Sequence, residues 1–448
     1  MAIKVVIIGA GPAGLLLAHY LLARSNHYHV FIYDRRSAPR NHRSEDRAFV
    51  ISLTERGQHI LKAIDGLWPA VRQKGVEVRA TGIYSKKLGQ WQSFQRSKDS
   101  EQFSLLINRN NLCLALLEEL EKRAYRHLQI VFNAPCVEVD LKAHRVKLAL
   151  SDGRYLEQSY DLLVGADGVH SAVRNALLKQ PGFDFQQSYF NSVWKVLHIP
   201  KPVELSSNTS YFFRHKFPAK HPGERPNRLS GAAIPEVDGQ LCILMFWGQP
   251  PHLMAGNPPG IQTPEDFQKM VFEQWLPGIQ LSDAAAQEFF EQRPSSILET
   301  RCNRYHDTCG QVVLVGDAAH AMSSFLAQGC QAAFADVVVL AQLLQAGADD
   351  LRIVLPKYSE LQVKEGHAIT DLNTQLNPQA EWLSFVFNGA MALQGQLSQR
   401  FPHWVSPTFF TLLAKTTMPY VAIARRFRPW MSLIRWSNQR RLAKTQPE

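Results

Sequence analysis

The feature that most constrains this chain is a glycine-rich turn between a buried strand and a helix close to the N-terminus. Gly9, Gly11 and Gly14 follow the apolar run of residues 4–9 and open a helical run at residues 15–23. Glycines at this spacing permit a tight turn and let a ligand approach the backbone. The pattern predicts a helix N-terminus that receives a pyrophosphate.

A second strand, at residues 30–34, completes a βαβ unit and ends on an acidic residue. Asp34 stands where a carboxylate hydrogen-bonds the adenosine ribose of a dinucleotide. Arg35 follows it, and we expect this residue to contact phosphate or ribose. A tight turn without a ligand explains the glycines but not Asp34, so the pattern indicates dinucleotide binding.

Two later strands also end on glycine. Residues 161–165 and 311–316 are short apolar runs that are expected to join the first two strands in one parallel sheet. Residues 185–300 alternate apolar and polar side chains with many Pro and Gly, which predicts antiparallel strands in an inserted domain. After Ala335 the pattern is helical to the C-terminus.

Length and composition are typical of a globular protein with several structural units. The 448 residues are 45% hydrophobic and 20% charged. No uninterrupted stretch of about 18 apolar residues predicts a membrane-spanning helix. The six cysteines are widely spread, which indicates reduced thiols and a cytoplasmic location. Cys302, His306 and Cys309 fit no common zinc spacing, so we expect no metal site.

Two further motifs resemble those of the class A flavin monooxygenases. Residues 162–174, which include Asp167, are similar to the DG motif that supports binding of FAD and of the pyridine nucleotide in that family. Residues 316–320 look like the GD motif, which implies that Asp317 binds the ribityl chain of FAD. Three motifs in the family's order are poorly explained as three unrelated loops.

Within this class the sequence most resembles the kynurenine 3-monooxygenase family, over nearly its whole length. The similarity extends to residues 53–57, 108–112, 183–187, 367–372 and 418–420. By this resemblance Arg109 and Arg47 contact FAD. Gly329, Cys330 and Gln331 are likewise expected beside the cofactor, at the start of a helix.

The resemblance implies an α/β fold. A doubly wound FAD-binding domain of the glutathione-reductase type would carry an inserted mixed β-sheet substrate domain and a helical C-terminal region. The expected FAD-binding segments are residues 1–75, 101–182 and 301–375. The expected substrate-domain segments are residues 76–100 and 183–300, and the C-terminal helical region is expected at residues 376–448.

The implied activity is that of an FAD-dependent monooxygenase. It would use NADPH or NADH and O2 to hydroxylate an aromatic or other electron-rich small molecule. No protein nucleophile is required, and Ser323, Ser324 and His320 form no nucleophile-elbow pattern. One alternative is a flavin oxidase or dehydrogenase of a lipophilic substrate, and another is a protein that binds FAD without turnover.

The expected substrate pocket departs from the family pattern. Thr81 aligns with an arginine that binds an amino-acid carboxylate, and Arg79, on the same face of a strand, is a candidate replacement. A family asparagine aligns beside Asn377, and a family tyrosine aligns with Phe410. A pocket that loses several polar contacts accepts a different molecule, so kynurenine is not the expected substrate.

The flavin-side segment also departs from the family. Ser324 replaces a proline, Gln331 replaces an asparagine, and Ala327 and Ala333 replace glycines. These changes affect how closely the backbone approaches the flavin ring, which keeps the oxidase alternative open.

The C-terminal segment is the most basic part of a chain whose net charge is +10. Residues 421–448 interleave seven Lys and Arg with Phe427, Trp430 and Trp436. This predicts peripheral contact with the inner face of a membrane, and a solvated basic helix packed on the body is the alternative. No nucleic-acid-binding module accompanies the tail, so nucleic acid is not an expected partner. The oligomeric state is left open.

Overall fold

The computed structural model describes residues 2–24, 27–41, 48–96, 101–217, 228–248, 256–376 and 378–443. In chain order its strands are β1 (Ile3–Ile8), β2 (Tyr28–Tyr33), β3 (Val50–Leu53), β4 (Val76–Val78), β5 (Ala80–Ser85), β6 (Gln90–Gln95), β7 (Ser104–Asn108), β8 (Leu128–Val131), β9 (Cys136–Asp140), β10 (Arg145–Ala149), β11 (Tyr155–Ser159), β12 (Leu162–Gly165), β13 (Phe185–Pro200), β14 (Thr209–Lys216), β15 (Arg228–Pro235), β16 (Gln240–Gly248), β17 (Ser295–Cys302) and β18 (Val312–Leu314).

The helices are α1 (Pro12–Arg24), α2 (Glu55–Lys62), α3 (Leu67–Gln73), α4 (Arg109–Lys122), α5 (Ala172–Leu177), α6 (Pro264–Met270), α7 (Asp283–Glu291), α8 (Asp317–His320), α9 (Gly329–Ala346), α10 (Leu351–Gln375), α11 (Glu381–Arg400), α12 (Phe409–Lys415) and α13 (Tyr420–Ala443). A π-helical turn, Val271–Trp275, continues α6.

A five-stranded parallel sheet forms the centre of the molecule, in the order β18-β12-β1-β2-β8. Its middle strand β1 is buried from Val5 to Ile8, because α1, α4 and α9 are among the elements that pack around this sheet. Burial on both faces explains why these strands are continuous apolar runs without alternation. The predicted α/β, doubly wound fold is confirmed.

A seven-stranded sheet stands beside it, in the order β17-β13-β16-β15-β14-β5-β6. The sheet is mixed, since β14 pairs in parallel with β5 and its other strand pairs are antiparallel. One face buries Tyr211, Phe213 and Trp247 against α6 and α7. Residues 76–100, predicted to supply strands of this sheet, divide between two sheets: β4 instead pairs with β7, in a small sheet with β3.

The C-terminal helices share a core of their own. Leu383 and Phe387 of α11 pack with Ile423 and Phe427 of α13, and α10 and α12 complete the cluster. By length and composition one described helix, α9, is apolar enough to cross a membrane, and half of it is buried inside the protein. Its burial against α1 and α10 equally fits a core helix.

Candidate active site

The glycine turn between β1 and α1 is closed by backbone contacts. A Cβ atom on Gly9, whose φ is +110°, would lie 2.3 Å from the carbonyl oxygen of Ala166. A Cβ on Gly14 would lie 2.0 Å from the carbonyl oxygen of Gly9. A Cβ on Gly11 would meet Nη2 of Arg109, at 3.5 Å. Gly9 and Gly14 are therefore needed for packing, whereas Gly11 leaves the backbone open to an approaching group.

Asp34, at the end of β2, is a buried carboxylate that organises this turn. Its Oδ2 accepts a hydrogen bond of 2.7 Å from the backbone N–H of Ala10, and its Oδ1 accepts one of 2.8 Å from the N–H of Arg36. The Arg36 guanidinium lies 3.6 Å from the same carboxylate. Arg36, not the predicted Arg35, lines a small cavity here together with Asp34 and Arg109. Burial and nearby Arg109 lower the pKa of Arg36.

The Asp167 carboxylate lies at the N-terminus of α5, close to the end of β12. Its Oδ2 accepts hydrogen bonds from the N–H groups of Ala172 and Val173, at 2.7 and 3.3 Å. Burial raises the pKa of this carboxyl, and Oδ1 has no hydrogen-bond partner among the described residues. The structure therefore gives Asp167 a helix-capping contact and leaves one oxygen uncommitted.

Arg174, from the same segment, was not expected to be a site residue. Its guanidinium is almost fully buried and donates to the carbonyl oxygens of Ala318, at 3.0 Å, and Val169, at 2.8 Å. Ala318 belongs to α8, so this side chain ties the two family motifs together. A buried cation that holds two loops by their carbonyls has no distinctive sequence signature.

Asp317 begins α8, directly after the left-handed residue Gly316. Its side chain reaches solvent, yet the surrounding protein desolvates the carboxyl and raises its pKa. The turn is held from behind by Asp336, which accepts from the N–H of Gly316 at 2.8 Å and bonds Nε2 of His320 at 2.6 Å. Burial lowers the pKa of His320, but the Asp336 carboxylate outweighs it and raises the pKa overall. This buried pair holds the backbone of the turn from which Asp317 follows.

The first turn of α9 contains Gly329, Cys330 and Gln331. A Cβ on Gly329 would meet no atom closer than 3.8 Å, so this backbone is open. Burial raises the pKa of the Cys330 thiol, which makes it a poor nucleophile. Gln331 is fully buried, and its side-chain oxygen accepts from the N–H groups of Thr54 and Gly57, both at 3.2 Å. Its side chain is thus committed to protein contacts.

These groups fit FAD. The cradle formed by Gly9, Gly11 and Gly14 offers a helix N-terminus to a pyrophosphate, with Asp34 beside it for a ribose. The Arg109 side chain reaches the turn at Gly11. Later in the chain, Asp317 and the open backbone of Gly329 at the start of α9 are the other groups available to the cofactor. Of the predicted cofactor residues, Arg47 lies outside the described residues.

The predicted substrate residues separate in space. The Arg79 guanidinium donates to Glu77 at 2.6 Å and lies 5.0 Å from the ring centroid of Phe103, turned toward the small sheet. The ring of Phe410 lies tilted against that of Phe409, with centroids 3.9 Å apart, and Phe410 is half exposed. Asn377 lies outside the described residues. Thr81, by contrast, has a polar contact with a second cationic side chain.

That contact comes from Arg96, which sequence reasoning missed. Nε of Arg96 donates to Oγ1 of Thr81 at 3.1 Å, across the β5–β6 hairpin. Burial lowers the pKa of this guanidinium, and no acidic side chain among the described residues forms an ion pair with it. The pairing register of this hairpin could have predicted the contact from the sequence. A turn around Gly89 places the end of β6 beside the start of β5.

A larger cavity, of about 550 Å³, opens between the seven-stranded sheet and α11. Lys216, Arg228 and Phe385 are among the residues that line it, and none of the predicted site residues that the structure describes does. The two cations lie 3.6 and 3.2 Å from the Glu381 carboxylate, which balances part of their charge. We do not place the active site there.

Comparison with known proteins agrees with this geometry. The model of the FAD binding domain family matches residues 2–350. Kynurenine 3-monooxygenase of Sus scrofa is 27% identical, over 99% of this chain and 88% of that protein. Violacein synthase of Chromobacterium violaceum is 26% identical, over 93% and 95%. The structure of 2-methyl-3-hydroxypyridine-5-carboxylic acid oxygenase shares the fold, with a TM-score of 0.61 at 21% identity over 93% of this chain and 97% of that one.

The fold and the site together define an FAD-dependent oxidoreductase. The chain belongs to the FAD binding domain family, and within it to the class A monooxygenases related to kynurenine 3-monooxygenase. It is therefore an FAD-dependent monooxygenase whose reductant is a nicotinamide nucleotide. A small molecule and O2 are its other reactants.

Proposed function

We propose that this enzyme hydroxylates an anionic aromatic molecule other than kynurenine, with NADPH or NADH as reductant. The observation that carries the proposal is the Arg96–Thr81 contact. A guanidinium that is partly desolvated and has no ion pair with a described acidic side chain gains free energy when an anion binds beside it. Carboxylate and guanidinium pair with two parallel hydrogen bonds, which favours a planar acid.

The charge of the expected substrate pocket therefore differs from that inferred from the sequence. Thr81 does not simply remove a positive charge, because Arg96 brings one to it from the neighbouring strand. The guanidinium reaches this place from a different backbone position, so an acid bound to it lies differently relative to the flavin. One relative by fold is named for an aromatic carboxylic acid. This supports an acidic aromatic and still disfavours kynurenine.

Bound FAD supplies the redox chemistry, since a nicotinamide nucleotide reduces it and O2 reacts with the reduced ring. The residues of the chain itself bind and orient the substrate and the cofactor. Arg96 would hold the acid, and Asp317 with the start of α9 would contact the bound cofactor. Ala327 adopts a left-handed conformation, φ +52°, at a family glycine position beside the expected flavin site, so the changed residue keeps the backbone conformation that a glycine would adopt.

The test is NAD(P)H oxidation measured together with peroxide release and product analysis. Anthranilate and benzoate are compared with their neutral amides and with kynurenine. We expect the acids to stimulate oxidation and yield oxygenated product, and the amides to do neither. Efficient hydroxylation of kynurenine contradicts the substrate proposal. Flavin bleaching by an organic substrate, without NAD(P)H, contradicts the hydroxylation proposal.

The matched variants are Arg96→Gln and Arg79→Gln. Loss of one charge-assisted hydrogen bond costs about 1.5–3 kcal/mol, so Arg96→Gln is expected to raise KM for the acid roughly ten- to hundred-fold. Arg79, already paired with Glu77, is expected to change KM less than about two-fold. Equal effects of the two variants would remove Arg96 from the substrate site.

We also propose that the enzyme is cytoplasmic and rests on the inner face of a membrane. The contact surface is the solvent-facing stripe of α11, formed by Trp382, Phe385, Val386, Leu393 and Leu397, which are all exposed. Their helical spacing turns most of them away from Leu383, Phe387 and Met391, the buried residues of α11. Residues 382–447 contain nine Lys and Arg and no acidic residue, which suits an anionic lipid surface.

A further inference from the structure

A buried polar bridge joins the seven-stranded sheet to the FAD-binding domain. Glu236, which follows β15, is 6% exposed, and its Oε1 accepts a hydrogen bond of 2.9 Å from Nδ2 of Asn108. Its Oε2 bonds Nδ1 of His198 on β13 at 2.7 Å. The two oxygens of one carboxylate thus connect a side chain of the sheet to the end of β7.

Asn108 is the N-cap of α4, the helix that begins with Arg109. Its Oδ1 accepts from the N–H of Asn110 at 2.9 Å, which leaves Nδ2 to contact Glu236. The N–H of Arg109 is held in turn by the carbonyl oxygen of Phe49, at 3.1 Å. The bridge therefore ends at the backbone from which the Arg109 side chain reaches the glycine turn.

We infer that Glu236, held by His198, is a positioning residue that orients Asn108 and through it sets Arg109 against the FAD pyrophosphate. The described hydrogen bonds of Glu236 are to Asn108 and His198, and none of these three residues lines the described cofactor cavity. Its effect on FAD passes through the start of α4. Because the carboxylate belongs to the substrate sheet, the same bridge links the position of that sheet to cofactor affinity.

The electrostatics of the bridge support this role. Burial alone would lower the pKa of His198, but the hydrogen bond and charge of Glu236 raise it. The pair is thus a buried charge-assisted contact, and without its carboxylate Nδ2 of Asn108 keeps only the longer hydrogen bond, of 3.4 Å, to the carbonyl oxygen of Ala48. Cys242 also lies within 4.8 Å of both groups. Burial raises the pKa of its thiol well above the ordinary value, so we assign the cluster no metal.

The experiment measures FAD affinity of the full chain by flavin fluorescence in a double-mutant cycle of Glu236→Ala and Arg109→Ala. We expect each single variant to weaken FAD binding about ten-fold. If Glu236 acts through Arg109, Glu236→Ala weakens binding less than two-fold in the Arg109→Ala background. Additive losses, or an Arg109→Ala protein that binds FAD normally, overturn the inference.

Two further variants separate positioning from loss of folding. Asn108→Ser keeps a residue that caps helices well but lacks the amide nitrogen that donates to Glu236, so it is expected to match Glu236→Ala in FAD affinity while the protein stays folded at the assay temperature. Glu236→Gln retains an acceptor for Asn108 and is expected to restore affinity to within three-fold. Normal FAD binding by Asn108→Ser contradicts the inference. The matched control is Glu157→Gln, an exposed glutamate on β11.

FAD affinity is read without turnover, so the result does not depend on the proposed substrate. A protein that fails to hydroxylate the tested acids yet shows the expected coupling disproves the substrate proposal alone. A protein that hydroxylates them and shows additive losses disproves the bridge alone.

Discussion

At the scale of single residues, the decisive contacts around the cofactor are made by backbone. Gly9 and Gly14 are required because a carbonyl oxygen occupies the place of each missing Cβ. A carbonyl in a closed turn cannot rotate away as a flexible side chain can. Gly11 differs, since its nearest neighbour would be the end of the Arg109 side chain. The same motif therefore contains glycines with different physical roles.

The comparison of Gly14→Ala with Gly11→Ala tests this distinction. Gly14→Ala is expected to destabilise the FAD-free protein by about 2–3 kcal/mol, because the backbone must shift to admit the methyl group. Gly11→Ala is expected to change stability by less than about 0.5 kcal/mol, yet to weaken FAD binding. Urea unfolding and FAD titration measure the two effects. Equal stability of both variants would contradict the packing role of Gly14.

At the scale of elements, α2 begins with an unusual cap. Its N-cap residue, Thr54, makes no hydrogen bond to the helix through its own side chain. The side-chain oxygen of Gln331, from the first turn of α9, instead accepts from the N–H groups of Thr54 and Gly57 and from Oγ1 of Thr54. Gly57 is the third helical residue, the usual partner of a capping side chain. One helix is therefore capped by another.

Gln331→Met tests the importance of this cap. The substitution keeps the length of the side chain but removes its acceptor, which leaves three buried donors without a partner. We expect a loss of about 2–4 kcal/mol in the free energy of unfolding. Gln342→Met, at an exposed position of the same helix, should cost less than about 0.5 kcal/mol. Denaturant unfolding of the two proteins provides the measurement, and similar midpoints would disprove the capping role.

At the scale of the whole molecule, charge and exposed apolar surface coincide at the C-terminal helices. Phe385 is 82% exposed on α11, and Trp430 of α13 packs edge-on against Phe387 of α11, with ring centroids 5.2 Å apart. One turn from Trp430, Arg426 and Leu433 lie on the flank of α13 beside this contact. The exposed aromatic side chains of α11 thus lie near a helix flank that carries Arg426. This combination of aromatic and basic side chains matches the chemistry of a lipid headgroup layer.

Vesicle sedimentation tests the membrane proposal. We expect the protein to bind phosphatidylserine-containing vesicles more tightly than phosphatidylcholine vesicles, with weaker binding at high salt. Trp382→Ser with Phe385→Ser should reduce binding at least about ten-fold, because each aromatic buried contributes roughly 1.5–3 kcal/mol. The matched control is Val203→Ser, because Val203 is 93% exposed but lies outside the C-terminal helices. This variant should bind the vesicles normally. Unchanged binding of the double variant, or concentration-dependent self-association through this face, would refute the proposal.

The sequence by itself determined the features that depend on neighbours along the chain. The strand–turn–helix pattern around Gly11, the acidic end of β2 and the order of the three motifs predicted the doubly wound fold and its cofactor correctly. Each of these rests on residues that form one local unit, where periodicity and turn chemistry are sufficient. The proposed roles of individual site residues stay predictions.

Only the tertiary structure decided which distant side chains meet. Arg96 reaches Thr81 through hairpin register, Glu236 meets Asn108 across 128 residues, and Gln331 caps Thr54 across 277. No periodicity encodes such pairs, because they form only after sheets and helices have packed and fixed their distances. The same packing turns Arg79 toward Glu77 and away from the site that its strand position suggested. The cofactor could therefore be predicted from local sequence patterns. The groups proposed to select the substrate and to position Arg109 could not, because they depend on contacts between segments far apart in the sequence.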